Sequence, residues 1–378
     1  MSFIPYGKQT IDQEDLTTVT ETLSSDFLTT GPKIKEFEDA LSNYCGAKYS
    51  VVVANGTVAL HLASMVLLSK NDKVLTTPNS FLSTSNSVLY VDAKPIFIDI
   101  NDDGNINLDL CEEAIKNDPS IKAIYAVAFS GNMLNQKKLK YLRDTYKIKI
   151  LEDNAHAIGA IYEGIKAGSC KNSDCSIFSF HPVKHLTTGE GGAITTNDKG
   201  LYEQLLSLRT HGMKKTSNLK PWEYHMVELG INGRITDFQC ALGLSQLTKL
   251  DKFIQRRIEI AKTYDKAFEN TIIKPLYTYQ GKSSYHLYVV QVDFNKLNIS
   301  KLDLYTRLRE KYSIGLQIHY MPINKQPYYK NLGYGDENTP VMDRYYEECF
   351  SLPIYPKLSN KEQNYVIKTL FEILSAKS

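Results

Sequence analysis

The stretch Ser176-Ile-Phe-Ser-Phe-His-Pro-Val-Lys184-His-Leu-Thr-Thr-Gly-Glu-Gly-Gly192 decides how this chain is interpreted. An apolar, strand-like run leads directly into a lysine, and small or hydroxylated residues surround it. Partial desolvation of such a lysine lowers the pKa of its ammonium group and frees the amine to attack a carbonyl. We therefore predict that Lys184 forms a Schiff base.

A second stretch lies upstream, Leu151-Glu-Asp153-Asn-Ala-His156-Ala-Ile-Gly-Ala160, where an aspartate follows an apolar run. A pyridoxal phosphate enzyme needs a carboxylate beside its ring nitrogen, because the negative charge keeps that nitrogen protonated and lets the ring withdraw electrons. Either residue alone is more often an ordinary surface charge. Together, in this order, they predict a pyridoxal phosphate site with Lys184 and Asp153 as catalytic residues.

The rest of the chain indicates the fold that carries this pair. Short β-branched runs alternate with amphipathic ones, which is typical of a mostly parallel sheet with helices on both faces. We predict strands at 51–54, 73–76, 95–100, 122–129, 148–152, 175–180 and 193–196, and helices at 12–24, 58–68, 135–145, 201–208 and 238–260. The fold class is therefore α/β.

The pattern changes beyond about residue 250. Here we predict strands at 284–293 and 314–320, and helices at 301–312 and 360–375. This order is typical of a smaller α+β unit. The predicted division is a cofactor-binding domain over residues 1–250 and a small C-terminal domain over residues 251–378.

Composition excludes several classes of protein. A net charge of +2 with 23% charged residues indicates no nucleic-acid partner. No apolar run approaches the length of a membrane span, and the first residues do not resemble a signal peptide. The six cysteines form no CxxC pair, so we expect no metal site, and scattered thiols fit a reducing cytoplasm.

Motifs along nearly the whole chain resemble those of the DegT/DnrJ/EryC1/StrS sugar-nucleotide aminotransferases, a branch of the fold-type I pyridoxal phosphate enzymes. Each motif is weak alone, but their shared order is specific. Besides the two stretches above, they are Phe27-Leu-Thr-Thr-Gly31-Pro32, Ala54-Asn-Gly-Thr57, Thr76-Thr-Pro78-Asn-Ser-Phe81, His211-Gly212-Met213, Leu229-Gly-Ile-Asn232-Gly-Arg234, His319-Tyr320 and Ser351-Leu-Pro353.

The resemblance implies where the cofactor phosphate binds. Gly56 and Thr57 lie where a strand ends and a helix begins, and the free N–H groups of such a junction favour an anion, although any capped helix has the same pattern. Ser179 is implied as a ligand of the phosphate or of a cofactor oxygen. Asn232 is implied to reach the phosphate in the neighbouring subunit's site, so the family predicts a homodimer with shared active sites.

Two more residues are implied to contact the cofactor ring. Many relatives carry Gln at the position of His156, but an imidazole can also stack on the ring or hydrogen-bond to its 3′ oxygen. A histidine held in the core is the alternative. Phe81 is implied to cover the other face of the ring, although such an aromatic is often part of a core. Arg234 fits a carboxylate or phosphate ligand or a structural salt bridge.

The stretch that begins at His181 most resembles the branch of the family that makes the 4-amino sugar of the pseudaminic acid pathway. Ala54-Asn-Gly-Thr57 departs from that branch's usual Ser-Ala-Thr, which leaves the exact sugar open. The positions implied to contact the nucleotide sugar are Tyr6, Asp26, Phe27, Leu28, Thr29, Gly56, Ser179, Asn232, Gln317, Ile318, His319 and Tyr320.

The implied reaction moves the amino group of L-glutamate onto the keto carbon, at C4, of a UDP-linked 4-keto-6-deoxy-N-acetylhexosamine and releases 2-oxoglutarate. Amination at C3 and a dTDP or GDP sugar are the alternatives. A related sugar dehydratase has His in place of the lysine, so Lys184 argues against that activity, although His185 follows it. The sequence has no basic stripe typical of a DNA-binding regulator and no GxGxxG after its first strand typical of a nicotinamide enzyme.

Overall fold

The computed structural model describes residues 2–214, 220–276 and 281–375. Within them the helices are α1 Gln13–Leu23, α2 Pro32–Cys45, α3 Gly56–Leu67, α4 Leu82–Leu89, α5 Leu108–Asn117, α6 Gln136–Tyr146, α7 Lys199–Leu208, α8 Asp237–Phe268, α9 Lys301–Glu310, α10 Pro327–Asn331, α11 Pro340–Glu348 and α12 Asn360–Ser375. The strands are β1 Tyr49–Val53, β2 Lys73–Thr76, β3 Lys94–Phe97, β4 Ile121–Val127, β5 Lys149–Asp153, β6 Ile161–Tyr162, β7 Ile165–Lys166, β8 Cys175–Ser179, β9 Gly192–Thr196, β10 Met213–Lys214, β11 His225–Met226, β12 Lys274–Pro275, β13 Tyr288–Gln291 and β14 Cys349–Leu352.

Seven of these strands form the central sheet, in the order β1-β9-β8-β5-β4-β2-β3. The pairings β3-β2, β2-β4, β4-β5 and β5-β8 are parallel, whereas β9 runs antiparallel to both of its neighbours. Because β9 alone is reversed, the carboxyl ends of the other strands and the start of β9 lie at one edge. Ligands of open α/β sheets bind at such an edge.

Helices cover both faces of this sheet. On β4, Ala123 and Tyr125 pack with residues of α3 and α7, whereas Ile124 and Ala126 pack with residues of α5 and α6. Side chains alternate between the faces of a strand, so two apolar neighbours in sequence serve two separate cores. The predicted α/β fold class is confirmed.

The C-terminal part of the chain builds a second core. Strands β12, β13 and β14 form an antiparallel sheet, which packs with the end of α8 and with α9 and α12. Ile4 is buried in the same core, so the N-terminal residues join it across the sequence. The domain boundary at residue 250 stays a prediction, because α8 runs through that position without a break.

The strand prediction for residues 314–320 was wrong. This extended segment makes single-residue bridges to two different partners, Ile314 to Ile4 and Gln317 to Ser351. It changes partner after too few residues to form a ladder. The backbone at the end of this segment instead passes along the wall of the cavity described below.

Candidate active site

A cavity of about 550 Å³ opens at the carboxyl edge of the central sheet. A larger cavity of about 650 Å³ lies elsewhere, between the loop at 101–109 and α6, and other described residues line it. Most of the predicted site residues come together in the first cavity. They are Tyr6, Gly56, Thr57, Phe81, Asp153, His156, Ser179, Lys184, Gln317, Ile318, His319 and Tyr320.

Lys184 lies in the loop that joins β8 to β9. Its backbone N–H donates to the carbonyl of His181 over 2.9 Å, which closes a turn directly after the strand. The carbonyl of Phe180 accepts from the N–H of Thr188 over 3.0 Å and from Oγ1 of Thr187 over 2.9 Å. These bonds close the loop on the end of β8, so the lysine side chain is held at the sheet edge.

The surroundings of Lys184 make its amine reactive. Burial lowers the pKa of Lys184 to about 8, because an ammonium ion loses hydration there, and the nearby charge of Asp153 acts in the opposite direction. Near physiological pH, an amine with this pKa has a far larger neutral fraction than an ordinary lysine. It can therefore attack a carbonyl without a separate base.

Asp153 is the last residue of β5, and its side chain is buried. Burial raises the pKa of its carboxyl group, while the hydroxyl of Thr84, the backbone N–H of Ala155 and the charge of Lys184 lower it. Thr84 donates over 2.6 Å and Ala155 over 3.1 Å. The carboxylate is thus oriented by two donors and suits a cationic ring nitrogen as its partner.

His156 lies three residues after Asp153, on the turn that follows β5, and its side chain is buried. The Nε2 atom of His156 is 3.1 Å from the hydroxyl of Tyr320, and its Nδ1 atom has no partner among the described residues. Burial and then the charge of Lys184 hold the pKa of His156 well below its usual range, so the ring is neutral. A buried ring nitrogen without a partner suits a polar ligand in the cavity.

The predicted phosphate turn has the shape of an anion cradle. Asn55 caps α3 by accepting from the N–H of Val58, while the other amides of the first turn have no carbonyl within the helix to bind. A Cβ atom at Gly56 would lie 3.0 Å from Cβ of Ser179 and 3.3 Å from its Oγ. The bare backbone of Gly56 therefore leaves a small polar space beside the serine hydroxyl, as a phosphate requires.

The opposite wall of the cavity combines an N-terminal residue with the segment 317–320 and with Phe81. The ring of Tyr6 lies 5.3 Å from that of His319, centroid to centroid. His319 is tied to β14 through Nδ1, which is 2.8 Å from Oγ of Ser351, and burial lowers its pKa to about 3. Phe81 is more than half exposed, with its ring 6.4 Å from that of Tyr320. This wall presents neutral rings to a ligand.

Five predicted residues do not line this cavity. They are Asp26, Phe27, Leu28, Thr29 and Asn232, and all five are exposed. The segment 26–29 pairs with backbone shortly after Asn232, because Thr29 bridges to Thr236 and the N–H of Asp237 donates to the carbonyl of Leu28. Within one chain, these five residues therefore lie outside the cavity that holds Lys184.

Among the residues that sequence reasoning missed are His286, which lines the cavity, and Thr84, which donates to Asp153. Thr84 lies in a run of hydroxylated residues after Phe81, and this run was the available signal for it. His286 lies about a hundred residues beyond Lys184, yet its Nε2 is 3.5 Å from Nζ of the lysine. No spacing rule connects two residues that meet through tertiary packing.

The donors present fit pyridoxal phosphate. Lys184 offers an amine for its aldehyde, Asp153 a carboxylate for its ring nitrogen, and the start of α3 with Ser179 a cradle for its phosphate. The fold and this arrangement define a fold-type I pyridoxal phosphate enzyme of the aminotransferase class. The comparisons with known proteins narrow the class further.

The chain belongs to the DegT/DnrJ/EryC1/StrS aminotransferase family, which matches residues 9–371. It is 41% identical over 376 residues to the UDP-4-amino-4,6-dideoxy-N-acetyl-beta-L-altrosamine transaminase of Campylobacter jejuni, covering 98% of this chain and 97% of that protein. The predicted family and its aminotransferase activity are confirmed.

Solved structures agree with this assignment. Helicobacter pylori PseC, an aminotransferase of pseudaminic acid biosynthesis, superposes with a TM-score of 0.93 at 31% identity, covering 99% of this chain and 100% of that one. The PLP form of Spr1654, described as a sugar aminotransferase of Streptococcus pneumoniae, gives a TM-score of 0.89 at 31% identity and covers 99% of each chain. The predicted cofactor is confirmed with the family.

Proposed function

We propose that this protein transfers the amino group of L-glutamate to C4 of a UDP-linked 4-keto-6-deoxy-N-acetylhexosamine. The observation that carries the proposal is the placement of Lys184 and Asp153 in one cavity, with the lysine pKa lowered to about 8. The sugar is taken from the C. jejuni relative, whose name specifies a UDP-linked 4-amino product. Nonulosonic acid or surface glycan synthesis is the corresponding use.

Each residue of the pair has one task. Pyridoxal phosphate supplies, when bound, an aldehyde that links to amines and a ring that withdraws electrons. Nζ of Lys184 takes the proton from Cα of glutamate and later delivers a proton to C4 of the sugar. Asp153 holds a proton on the ring nitrogen through its negative charge. Gly56, Thr57 and Ser179 bind the phosphate.

The remaining wall suits a nucleotide sugar. Tyr6, His319 and Tyr320 provide neutral aromatic surface for stacking, and Gln317 provides an amide. His156 and Phe81 flank the ring of the cofactor in this proposal. The cavity is open at the edge of the sheet. Glutamate can therefore occupy it in one half of the reaction and the sugar in the other.

We also propose that the active unit is a homodimer. The segment 222–229, which is close in sequence to Asn232, exposes several large apolar side chains, including Trp222 at 73% and Leu229 at 78% exposure. Such surfaces are typical of interfaces. A partner subunit seated there places its Asn232, and its segment 26–29, in the cavity of the first chain.

A cytoplasmic location is part of the same proposal. All six cysteines are buried free thiols, as in proteins of reducing compartments. Among the described residues, no helix combines the length and the apolar character needed to cross a membrane.

The proposal also includes the domain division at residue 250, with the cofactor bound by the first domain.

The experiment is an assay with defined products. Purified protein, pyridoxal phosphate and L-glutamate are mixed with a panel of UDP-, dTDP- and GDP-linked keto-deoxy sugars, and NMR identifies the product. We expect a UDP-linked sugar carrying a new amine at C4, together with 2-oxoglutarate. An amine at C3, or turnover with dTDP or GDP sugars alone, would favour the alternatives.

A further inference from the structure

His286 lies beside the lysine from the far part of the chain. Its Nε2 is 3.5 Å from Nζ of Lys184, and its ring centroid is 4.3 Å from that of His156. The side chain is buried. The imidazole therefore contacts both the amine and a second ring of the cavity.

The backbone of His286 is held in place by a buried cation. Nη1 of Arg257 donates to the carbonyls of His286 and Tyr285 over 3.2 Å each, and to that of Ile354 over 2.9 Å. Hydrogen bonds from a charged donor are stronger than neutral ones. The backbone that carries the imidazole is thus held against α8 independently of Lys184.

The protonation state of His286 follows from what faces it. Burial holds its pKa well below the usual range, and the neighbouring basic groups of Lys184, His156, His185 and Arg257 act in the same direction. A neutral imidazole has one donor nitrogen and one acceptor nitrogen. Its Nδ1 has no partner among the described residues, so Nε2 is the nitrogen engaged with the lysine.

We propose that His286 is a positioning residue for Lys184. Its Nε2 accepts a hydrogen bond from the ammonium form of the lysine and, in the other tautomer, donates one to the neutral amine. The inference rests on the proposed function, in which Lys184 gains and loses a proton in each half-reaction. A partner that can accept or donate keeps Nζ in one orientation through both states.

The test compares His286→Leu with His286→Gln. A glutamine amide reaches about as far as Nε2 and can accept or donate, whereas leucine can do neither. Cofactor-free protein is mixed with pyridoxal phosphate across a pH series, the adduct is trapped with borohydride, and mass spectrometry quantifies it at Lys184. The same variants are assayed for kcat and KM.

For the wild type we expect the rate of adduct formation at Lys184 to reach half of its maximum at a pH midpoint near 8. The leucine variant should have a midpoint lower by roughly half to one pH unit, because the ammonium form loses its stronger hydrogen bond. We expect its kcat to fall about tenfold with little change in KM for the sugar. The glutamine variant should stay within about threefold of the wild type in kcat.

Two results would overturn the proposal. One is a leucine variant that keeps the wild-type pH midpoint and kcat. The other is a glutamine variant whose kcat falls as far as that of the leucine variant, which would indicate that His286 only fills space. If the leucine variant does not fold, His286→Asn replaces it, because the shorter amide does not reach Nζ. The adduct measurement uses no sugar, so a wrong substrate leaves this test intact.

Discussion

Oγ1 of Thr84 donates a hydrogen bond of 2.6 Å to Oδ2 of Asp153, and both residues are buried. The same hydroxyl is 2.8 Å from Oγ of Ser80. Since Thr84 has one hydroxyl hydrogen, its oxygen accepts from Ser80 while it donates to the carboxylate. Thr84 of α4 and Ser80, which precedes that helix, therefore form a chain of two hydroxyl groups that orients Asp153.

Thr84→Val tests this chain with almost no change in volume. The carboxyl group loses a donor that lowers its pKa, so its pKa should rise further above the usual value. We expect kcat to fall about tenfold near neutral pH and the acidic limb of its pH profile to move to higher pH. Thr84→Ser retains the hydroxyl and should keep most of the activity. An unchanged profile in the valine variant would contradict this role.

Lys184→Ala should abolish the covalent link to the cofactor. In the wild type, the rate of link formation should reach half of its maximum near pH 8 and level off above that pH, because the neutral amine is the nucleophile. An ordinary lysine would still gain reactivity up to a pH of about 10.4. Borohydride trapping at each pH measures the rate. An adduct at the wild-type level in the alanine variant would assign the link to another lysine.

Mixing two inactive variants tests the shared site. Asn232→Ala and Lys184→Ala each remove one part of every site in a homodimer. A mixed dimer has one intact site, built from Lys184 of one chain and Asn232 of the other. Random exchange at equal amounts should restore about a quarter of the wild-type activity. Light scattering that shows a fully active monomer would contradict the dimer.

Gly192→Ala should disturb the phosphate turn. A Cβ atom there would lie 2.5 Å from the carbonyl oxygen of Asn55 and 2.8 Å from the N–H nitrogen of Gly56. These are backbone atoms, so strand β9 or the turn must move. We expect a lower melting temperature and weaker cofactor binding, measured by thermal unfolding and by titration. Gly200→Ala, in the first turn of α7, is the control, because a Cβ atom there would meet only Oδ1 of Asp198, at 3.2 Å, and alanine favours a helix; cofactor binding should stay unchanged and the melting temperature should not fall as it does in Gly192→Ala.

The sequence predicted the central sheet well, because its strands are buried on both faces and appear as continuous apolar runs. The prediction for β2 matches its bounds at residues 73–76. The strand prediction for residues 314–320 was wrong for a different reason. An extended segment with alternating apolar residues resembles a strand whether or not a partner strand lies alongside it.

The candidate site shows the same limit. Asp153 ends a strand and Lys184 follows one, so their meeting at one edge of the sheet follows from chain order. His286 and Thr84 reach the site through tertiary packing, which leaves little local pattern. Asn232 was assigned through the family resemblance, and its role in a partner's site stays a prediction.

Asp153→Asn separates catalysis from binding. The amide is nearly isosteric, and its oxygen can still accept a hydrogen bond from Thr84 or Ala155. The cofactor should therefore remain bound and the protein folded. The amide carries no negative charge to keep the ring nitrogen protonated, so electron withdrawal from Cα is lost. Losing one charge-assisted interaction at a buried site costs on the order of 2–4 kcal/mol, or roughly 30- to 1000-fold in rate.

Single-turnover measurements with L-glutamate check this expectation, because they report proton removal without the sugar half of the reaction. Absorbance of the bound cofactor and circular dichroism serve as controls for loading and folding. Asp153→Glu keeps the charge but lengthens the side chain in a buried space, so we expect its rate to lie between those of the wild type and the asparagine variant. Near-normal turnover by Asp153→Asn would show that another group is the partner of the ring nitrogen.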